Sequence, residues 1–175
     1  MQHFLLDTSV LVLKYHHRDE EEASLAAKIK RLFEAKREND AFLFVPNFCI
    51  VETFNTFAKF CYEERLINEA AYNRYREALK ADVVGGTILY SYELSRRHIL
   101  AADEVLKPEH TSGKRGAGDS LSTVDILLIS MGMDIARIVG RNNLKILANE
   151  NRIVDVCKSS DKFPPAEHIK KFRYS

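Results

Sequence analysis

Residues 4–12 of this chain read FLLDTSVLV, a short apolar run that is closed by one aspartate and followed by two hydroxyl residues. The run predicts a buried β-strand over residues 3–7, and Thr8 or Ser9 predicts the turn into a helix. Asp7 therefore follows the carboxyl end of a strand, where open α/β sheets place their ligands. Alone, Asp7 is better explained as a helix cap, so its significance depends on the acids that recur further along the chain.

The rest of the chain alternates between short apolar runs and amphipathic stretches. Further strands are predicted over residues 42–45, 87–90 and 145–148, with an edge strand in the tail that follows Pro164-Pro165. Helices are predicted over residues 20–36, 47–62, 68–81, 91–106, 123–139 and 151–158, with Asn47 capping the second of these. Residues 107–118, which contain Pro108 and three glycines, are predicted to be the least ordered stretch. This alternation predicts one α/β domain over residues 1–175, with three α/β/α layers and a mainly parallel central sheet.

The composition is that of an ordinary globular protein. Hydrophobic residues make up 46% of the 175 residues and charged residues 29%, with a net charge of +1, so any contact with nucleic acid must come from a local patch. Three separated cysteines fit neither a zinc site nor a disulfide framework and suit a reducing compartment. Because no apolar stretch approaches the roughly 20 residues that cross a bilayer and no signal peptide is visible, we expect a cytoplasmic protein without membrane contact.

Four acids fall at comparable places in the predicted elements: Asp7, Glu52, Asp125 and Glu150. Glu52 lies in an otherwise apolar helix, Asp125 forms a capping-box pattern with Ser122, and Glu150 lies in a polar turn that is solvated by default. Carboxylates that share one cleft repel each other, and their pKa values rise unless a cation lies between them. Because oxygen ligands suit hard divalent cations, the joint pattern indicates a Mg²⁺ or Mn²⁺ site.

Four segments in this order resemble the motifs of PIN-domain nucleases. Residues 4–9 resemble the first motif, and residues 45–55, VPNFCIVETFN, the second, with Glu52 as its acid. Residues 121–129, LSTVDILLI, are similar to the third motif, with Asp125 as its acid. Residues 146–150, ILANE, resemble the fourth, which commonly has threonine where this chain has Ala148 and aspartate where it has Glu150.

The resemblance implies metal-dependent hydrolysis of phosphodiester bonds, most often in RNA. It implies one or two Mg²⁺ or Mn²⁺ ions that activate a water molecule, with Asp7 and Asp125 as direct ligands. Glu52 would be a ligand or hold a metal-bound water, and Glu150 would act through water. Together, the expected catalytic residues are Asp7, Glu52, Asp125 and Glu150.

Substrate contacts are expected from residues around these acids. The hydroxyls of Thr8 and Ser9 would orient the site by hydrogen bonds. Lys114 and Arg115 lie in the glycine-rich loop and would contact phosphates, although a solvated loop is the commoner explanation. Asp119 is a spare candidate that is better explained as a turn residue.

The family resemblance also implies a biological context and leaves alternatives open. A natural context is the toxin of a toxin–antitoxin pair, of the VapC type, with an antitoxin protein as partner and a homodimer as assembly. One alternative is a degenerate PIN-like domain that binds RNA or protein without cutting, which Ala148 and Glu150 keep open. Another is an aspartyl phosphotransferase with Asp7 as nucleophile, but its usual pattern needs a second aspartate where this chain has Ser9.

Overall fold

The computed structural model describes residues 1–111 and 120–174, and for residues 108–111 it describes the backbone only. The predicted Lys114, Arg115 and Asp119 lie outside the described residues. The strands are β1 (Gln2–Leu6), β2 (Ala41–Pro46), β3 (Leu89–Tyr92), β4 (Leu144–Ala148) and β5 (Ala166–His168). The helices are α1 (Thr8–Tyr15), α2 (Glu20–Arg37), α3 (Asn47–Ala58), α4 (Glu69–Val83), α5 (Arg96–Thr111), α6 (Thr123–Val139) and α7 (Asn151–Lys158).

The five strands form one sheet in the order β3-β2-β1-β4-β5, and every neighbouring pair is parallel. Leu5 of β1 pairs with Phe44 of β2 on one side and with Ile146 of β4 on the other. The predicted α/β class is therefore confirmed, and the sheet is parallel throughout.

Helices cover both faces of the sheet. Successive side chains of β1 point to opposite faces, so each face has apolar side chains that pack against helices. Phe4 and Leu6 join a core formed with α1, α2, α3 and α4, whereas Leu5 joins a second core formed with α5, α6 and α7. These two cores give the three layers that the sequence predicts. No helix within residues 1–111 and 120–174 is long and apolar enough to cross a membrane.

The strand order places a crevice above the centre of the sheet. From β1 the chain moves outward to β2 and β3, then returns to lay β4 on the opposite side of β1. In open parallel sheets this reversal leaves a crevice beyond the carboxyl ends of the two central strands. Asp7 directly follows β1, and Asn149 and Glu150 directly follow β4, so the fold brings distant parts of the sequence to this crevice.

Some predicted boundaries are wrong. Strand β3 begins at Leu89 and α5 at Arg96, both later than predicted. Gly85 and Gly86 form a tight turn with positive φ before the strand. Helix α5 then continues through Pro108 to Thr111, so the first part of the predicted loop is helical. The edge strand predicted in the tail is confirmed as β5.

The start and end of α3 also differ from the prediction. Asn47 is not the cap: Pro46 occupies that position, and Asn47 is the first helical residue. The Asn47 side chain instead accepts a hydrogen bond from the backbone N–H of Leu94 at 3.3 Å. After Ala58 the predicted helix continues as a π-helical turn over Lys59–Glu63, where each turn holds an extra residue.

Candidate functional site

A cleft of about 420 Å³ lies at the crevice beyond β1 and β4. Helices α1 and α3 form its two banks, and the start of α6 and the turn after β4 complete its wall. All four predicted acids line this cleft, and we refer to them as the acidic end: Asp7, Glu52, Asp125 and Glu150. Thr8 and Ser9 line it as well.

Asp7 is buried, with 7% of its surface exposed, and it caps α1. Its Oδ2 accepts hydrogen bonds from the backbone N–H of Ser9 at 3.3 Å and from the Ser9 hydroxyl. Burial raises the pKa of Asp7 to about 6, and the negative charge of Asp125 adds to this rise, while the Ser9 hydrogen bonds oppose it. The capping role and the predicted site position therefore coincide in one carboxylate.

Asp125 is held in a similar way at the start of α6. Its Oδ2 accepts hydrogen bonds from the Ser122 backbone N–H at 2.9 Å and the Ser122 hydroxyl at 2.8 Å, and its own N–H donates to that hydroxyl at 3.2 Å. This is the reciprocal capping box that the sequence pattern predicts. Asp125 is 8% exposed, so a second carboxylate is fixed at the wall of the same cleft.

Two glutamates complete the acidic end. The Thr8 hydroxyl donates a hydrogen bond of 2.6 Å to Glu52 Oε2 and thereby joins α1 to α3 across the cleft. Glu150 lies in the exposed turn after β4. Partial burial raises its pKa, Asp125 adds to the rise, and the positive charge of Arg152 opposes it. The negative charge of Asp125 therefore acts on both Asp7 and Glu150 at the acidic end.

The donor chemistry of this cleft fits a hard divalent cation. On both Asp7 and Asp125, the hydrogen bonds from the neighbouring serine go to Oδ2, so neither serine occupies Oδ1. Asn149 also lines the cleft, and its buried Oδ1 has no hydrogen-bond partner in the described structure. Within the described ranges, no three His, Cys, Asp or Glu side chains are already gathered closely enough to enclose a metal.

The opposite end of the cleft carries positive charge that the sequence analysis did not predict. Arg18 and Lys59 line the cleft there and form what we call the basic end, with His16 and the buried Phe60 beside them. Lys59 follows Glu52 by seven residues, which is two helical turns. Helical spacing from Glu52 was the available signal for Lys59.

A second buried polar cluster lies outside the cleft. Asp134 of α6 accepts a hydrogen bond from the Tyr92 hydroxyl, forms an ion pair with Arg97 at 2.8 Å and makes a hydrogen bond with His98 Nε2 at 3.1 Å. Because the backbone N–H of Ser95 donates to His98 Nδ1 at 2.9 Å, the neutral imidazole carries its proton on Nε2 and donates it to Asp134. The cluster joins the start of α5 to α6.

The all-parallel α/β sheet with its crevice between β1 and β4 is a PIN-like fold. One solved relative in fold is a chain in the crystal structure of VapBC2 from Rickettsia felis bound to a DNA fragment from their promoter, with a TM-score of 0.63 and 11% identity over 95% of this chain and 98% of that chain. Another is in FitAcB from Neisseria gonorrhoeae, with a TM-score of 0.62 and 13% identity over 97% and 99%. A third, in FitAB bound to an IR36 DNA fragment, has a TM-score of 0.61 and 10% identity over 98% of both chains.

These similarities establish the fold of nearly the whole chain. No protein-family model matches the sequence, and no curated protein matches it. The function therefore has to be argued from the side chains in the cleft.

Proposed function

We propose that this protein is a metal-dependent nuclease that hydrolyses phosphodiester bonds in RNA. The observation that carries the proposal is the paired arrangement of Asp7 and Asp125, two buried carboxylates that line one cleft. A serine holds Oδ2 of each of them and makes no hydrogen bond to Oδ1. Burial and mutual repulsion make two such charges costly unless a cation binds between them.

In this proposal Asp7 and Asp125 hold Mg²⁺ or Mn²⁺. The bound cation would lower the pKa of a water molecule and would place a positive charge next to the substrate phosphate. Ser9 and Ser122 keep the two carboxylates oriented, as residues behind metal ligands commonly do. Thr8 holds one oxygen of Glu52, so the other oxygen remains available to accept a hydrogen bond from the attacking water. Glu150 adds negative charge at the exposed side of the acidic end.

The direct test is a cleavage assay on single-stranded and structured RNA with Mn²⁺ or Mg²⁺, run beside Asp7→Asn. Asparagine keeps the size of the side chain and removes its charge. We expect cleavage by the unmodified protein, and its loss both in the variant and in EDTA. Equal activity of the two proteins, or activity that persists in EDTA, would rule out the proposed chemistry. DNA of the same sequence serves as the comparison substrate.

We further propose that the chain is the toxin of a toxin–antitoxin pair and binds an antitoxin protein. Support comes from the fold likeness over nearly the full length of both chains to members of the VapBC2 and FitAB assemblies. Purification of the chain from its native host should then yield a small protein in a stable complex. Recovery of the chain alone at every step, with unrestricted nuclease activity, would contradict this context.

The non-catalytic alternative makes a different prediction. A degenerate PIN-like domain would bind RNA or protein without cutting, and Ala148 and Glu150 are the departures from the motif that favour it. Binding of RNA without cleavage under any divalent cation would support this alternative.

A further inference from the structure

We propose that the basic end of the cleft binds a backbone phosphate of single-stranded RNA, next to the phosphate that is cut at the acidic end. Arg18 and Lys59 are the two binding residues. This inference rests on the proposed nuclease function and adds to it a direction for the substrate strand along the cleft.

The first observation is the stripe of side chains that α3 presents to the cleft. Glu52, Asn55, Thr56 and Lys59 all line it, at the spacing i, i+3, i+4 and i+7 that defines one face of a helix. The stripe begins with a carboxylate, continues through two neutral polar groups, and ends with a cation. Along the helix axis the seven residues from Glu52 to Lys59 span about 10 Å, so a phosphate bound near Lys59 is distinct from one at the metal ligands.

The second observation is that the opposite bank has the same polarity. Asp7, Thr8, Val12 and His16 line the cleft from the N-terminal cap of α1 to its C-terminal end, and Arg18 follows. Both banks therefore run from negative charge beside the strand ends to positive charge at the far end. Every nucleotide of a polynucleotide carries a negative phosphate. A strand that lies along both banks would therefore meet the bound metal at the acidic end of the cleft and the two cations at the basic end.

The third observation concerns how the two cations are supported. The Arg18 guanidinium lies 4.8 Å from the centre of the buried Phe60 ring, a cation–π contact that orients it. Glu22 also lines the cleft and accepts the Arg18 backbone N–H at 2.7 Å, so one negative charge lies beside the two cations. Neither Arg18 nor Lys59 forms an ion pair with a described residue, and both are exposed.

The fourth observation is the π-helical turn over Lys59–Glu63, which begins at Lys59. The extra residue in this turn changes the direction of the side chains that follow α3, and such turns occur often at functional sites. Here Lys59 and Phe60 both reach the cleft from adjacent positions. The turn thus places Phe60, the aromatic support of Arg18, at the same end as Lys59.

Fluorescence anisotropy with a short, labelled single-stranded RNA tests this assignment, in an Asp7→Asn background and in EDTA so that no cleavage interferes. Lys59→Gln and Arg18→Gln are compared with the matched controls Lys158→Gln and Arg137→Gln. The control residues are exposed, do not line the cleft, and lie near the far ends of α7 and α6, which both begin at the cleft. All four variants remove one positive charge, so only position distinguishes them.

We expect the Lys59 and Arg18 variants to weaken binding several-fold, and to reduce the slope of log affinity against log salt by about 0.7 for each lost phosphate contact. The control variants should leave both quantities near the parent values. Equal weakening by all four variants, or no RNA binding by the parent, would overturn the assignment. Preference for a polyglutamate peptide over RNA, abolished by the same two substitutions, would overturn it in favour of an acidic protein partner.

The binding assay and the cleavage assay fail separately. If RNA binding depends on Lys59 and Arg18 but no divalent cation supports cleavage, the nuclease proposal fails and strand binding at the basic end stands. If cleavage is metal-dependent but binding is indifferent to these residues, the nuclease proposal stands and the path of the strand is wrong.

Discussion

The two oxygens of the Asp7 carboxylate have different surroundings. Oδ2 caps α1 through Ser9, whereas Ser9 makes no hydrogen bond to Oδ1. Helix capping was the simpler explanation of Asp7 from sequence, and the structure shows that capping does not exclude a second role. One oxygen caps the helix, and in the proposed metal site the same constraint would orient the carboxylate towards a cation.

The protonation of Asp7 gives a stability prediction with a definite sign. The pKa of Asp7 rises from its ordinary value of 3.8 to about 6 in the folded protein, so between these values the folded state binds more protons than the unfolded state. The contribution of Asp7 to the free energy of unfolding therefore falls as pH rises through that window. The loss is complete above about pH 6. Asp7→Asn removes the charge and keeps an oxygen that can accept from Ser9.

We expect Asp7→Asn to raise the free energy of unfolding by about 1–3 kcal/mol at pH 7.5 in EDTA. Urea unfolding measures the difference, which should shrink towards zero as the pH is lowered to about 4. Asp155→Asn, at an exposed position of α7, is the control and should change little. A variant that is less stable than the parent at pH 7.5 would show that the buried charge is not a cost.

At the residue scale, the sequence predicted much of the acidic end but not the basic end. The four acids were visible because Asp7 and Glu150 follow predicted strands, whereas Glu52 and Asp125 lie in predicted helices. Arg18 was not, because exposed cations are common and nothing local distinguishes it. For Lys59 the helical spacing from Glu52 was a signal, which the sequence analysis did not use. The sequence also did not predict that the side-chain oxygen of Asn149 lies in the cleft, since a polar turn residue after a strand is solvated by default.

At the element scale, α6 connects folding with the site through its first turn. Ser122 and Asp125 satisfy each other's backbone N–H groups, and the same bonds fix the Asp125 carboxylate at the cleft. We expect Ser122→Ala to lower the free energy of unfolding by about 0.5–2 kcal/mol, the usual cost of losing a cap.

Thermal or urea unfolding checks this prediction, and Ser122→Thr is the matched variant that retains the hydroxyl. Threonine should recover most of the loss because it is also a good N-cap residue. If alanine and threonine were equally destabilising, the hydroxyl would not be the group that stabilises the helix.

Local capping made the bounds of α6 predictable, whereas those of β3 and α5 depend on tertiary packing. Helix α6 has the predicted bounds because Ser122 and Gly140 mark both ends. Strand β3 is set by pairing with β2, in which Leu89 lies opposite Leu43, and its neighbours Thr87 and Ile88 suit a strand equally well by propensity. Helix α5 continues past Pro108 and does not end before it. Val105, one turn before this proline, is buried in the second core.

At the scale of the whole molecule, the site depends on how closely α6 packs against the sheet. A Cβ atom on Gly132 would lie 3.0 Å from Ile146 Cδ1 of β4 and 3.0 Å from Pro164 Cγ. The absence of a side chain therefore permits the approach of α6 to β4, the two elements that carry Asp125 and lead to Glu150.

Gly132→Val should overpack this contact and lower the free energy of unfolding by about 1–3 kcal/mol. Arg137→Val is the control, because it adds the same β-branched residue at an exposed position of the same helix. Chemical denaturation of both variants measures the difference. Equal effects would mean that helix propensity, rather than close packing, explains the result.

The overall fold was predictable because its parallel strands read as short apolar runs between amphipathic helices. The closeness of the acids was predictable only through the topology, since residues up to 143 positions apart meet at the ends of β1 and β4. Which side chains form the far half of the cleft depends on the directions of α1 and α3, and on the π-helical turn that follows α3. Local sequence patterns do not specify those directions.

Titration calorimetry with Mn²⁺ at pH 7.5 tests the metal site most directly, on the unmodified protein, Asp7→Asn and Asp125→Asn. We expect the unmodified protein to bind Mn²⁺. Each variant should bind it at least 10-fold more weakly, because each variant loses one carboxylate charge from the same site. Glu150→Gln should have a smaller effect, since Glu150 lies in the exposed turn. No Mn²⁺ binding by the unmodified protein, or equal affinity in all three proteins, would contradict a metal centre at Asp7 and Asp125.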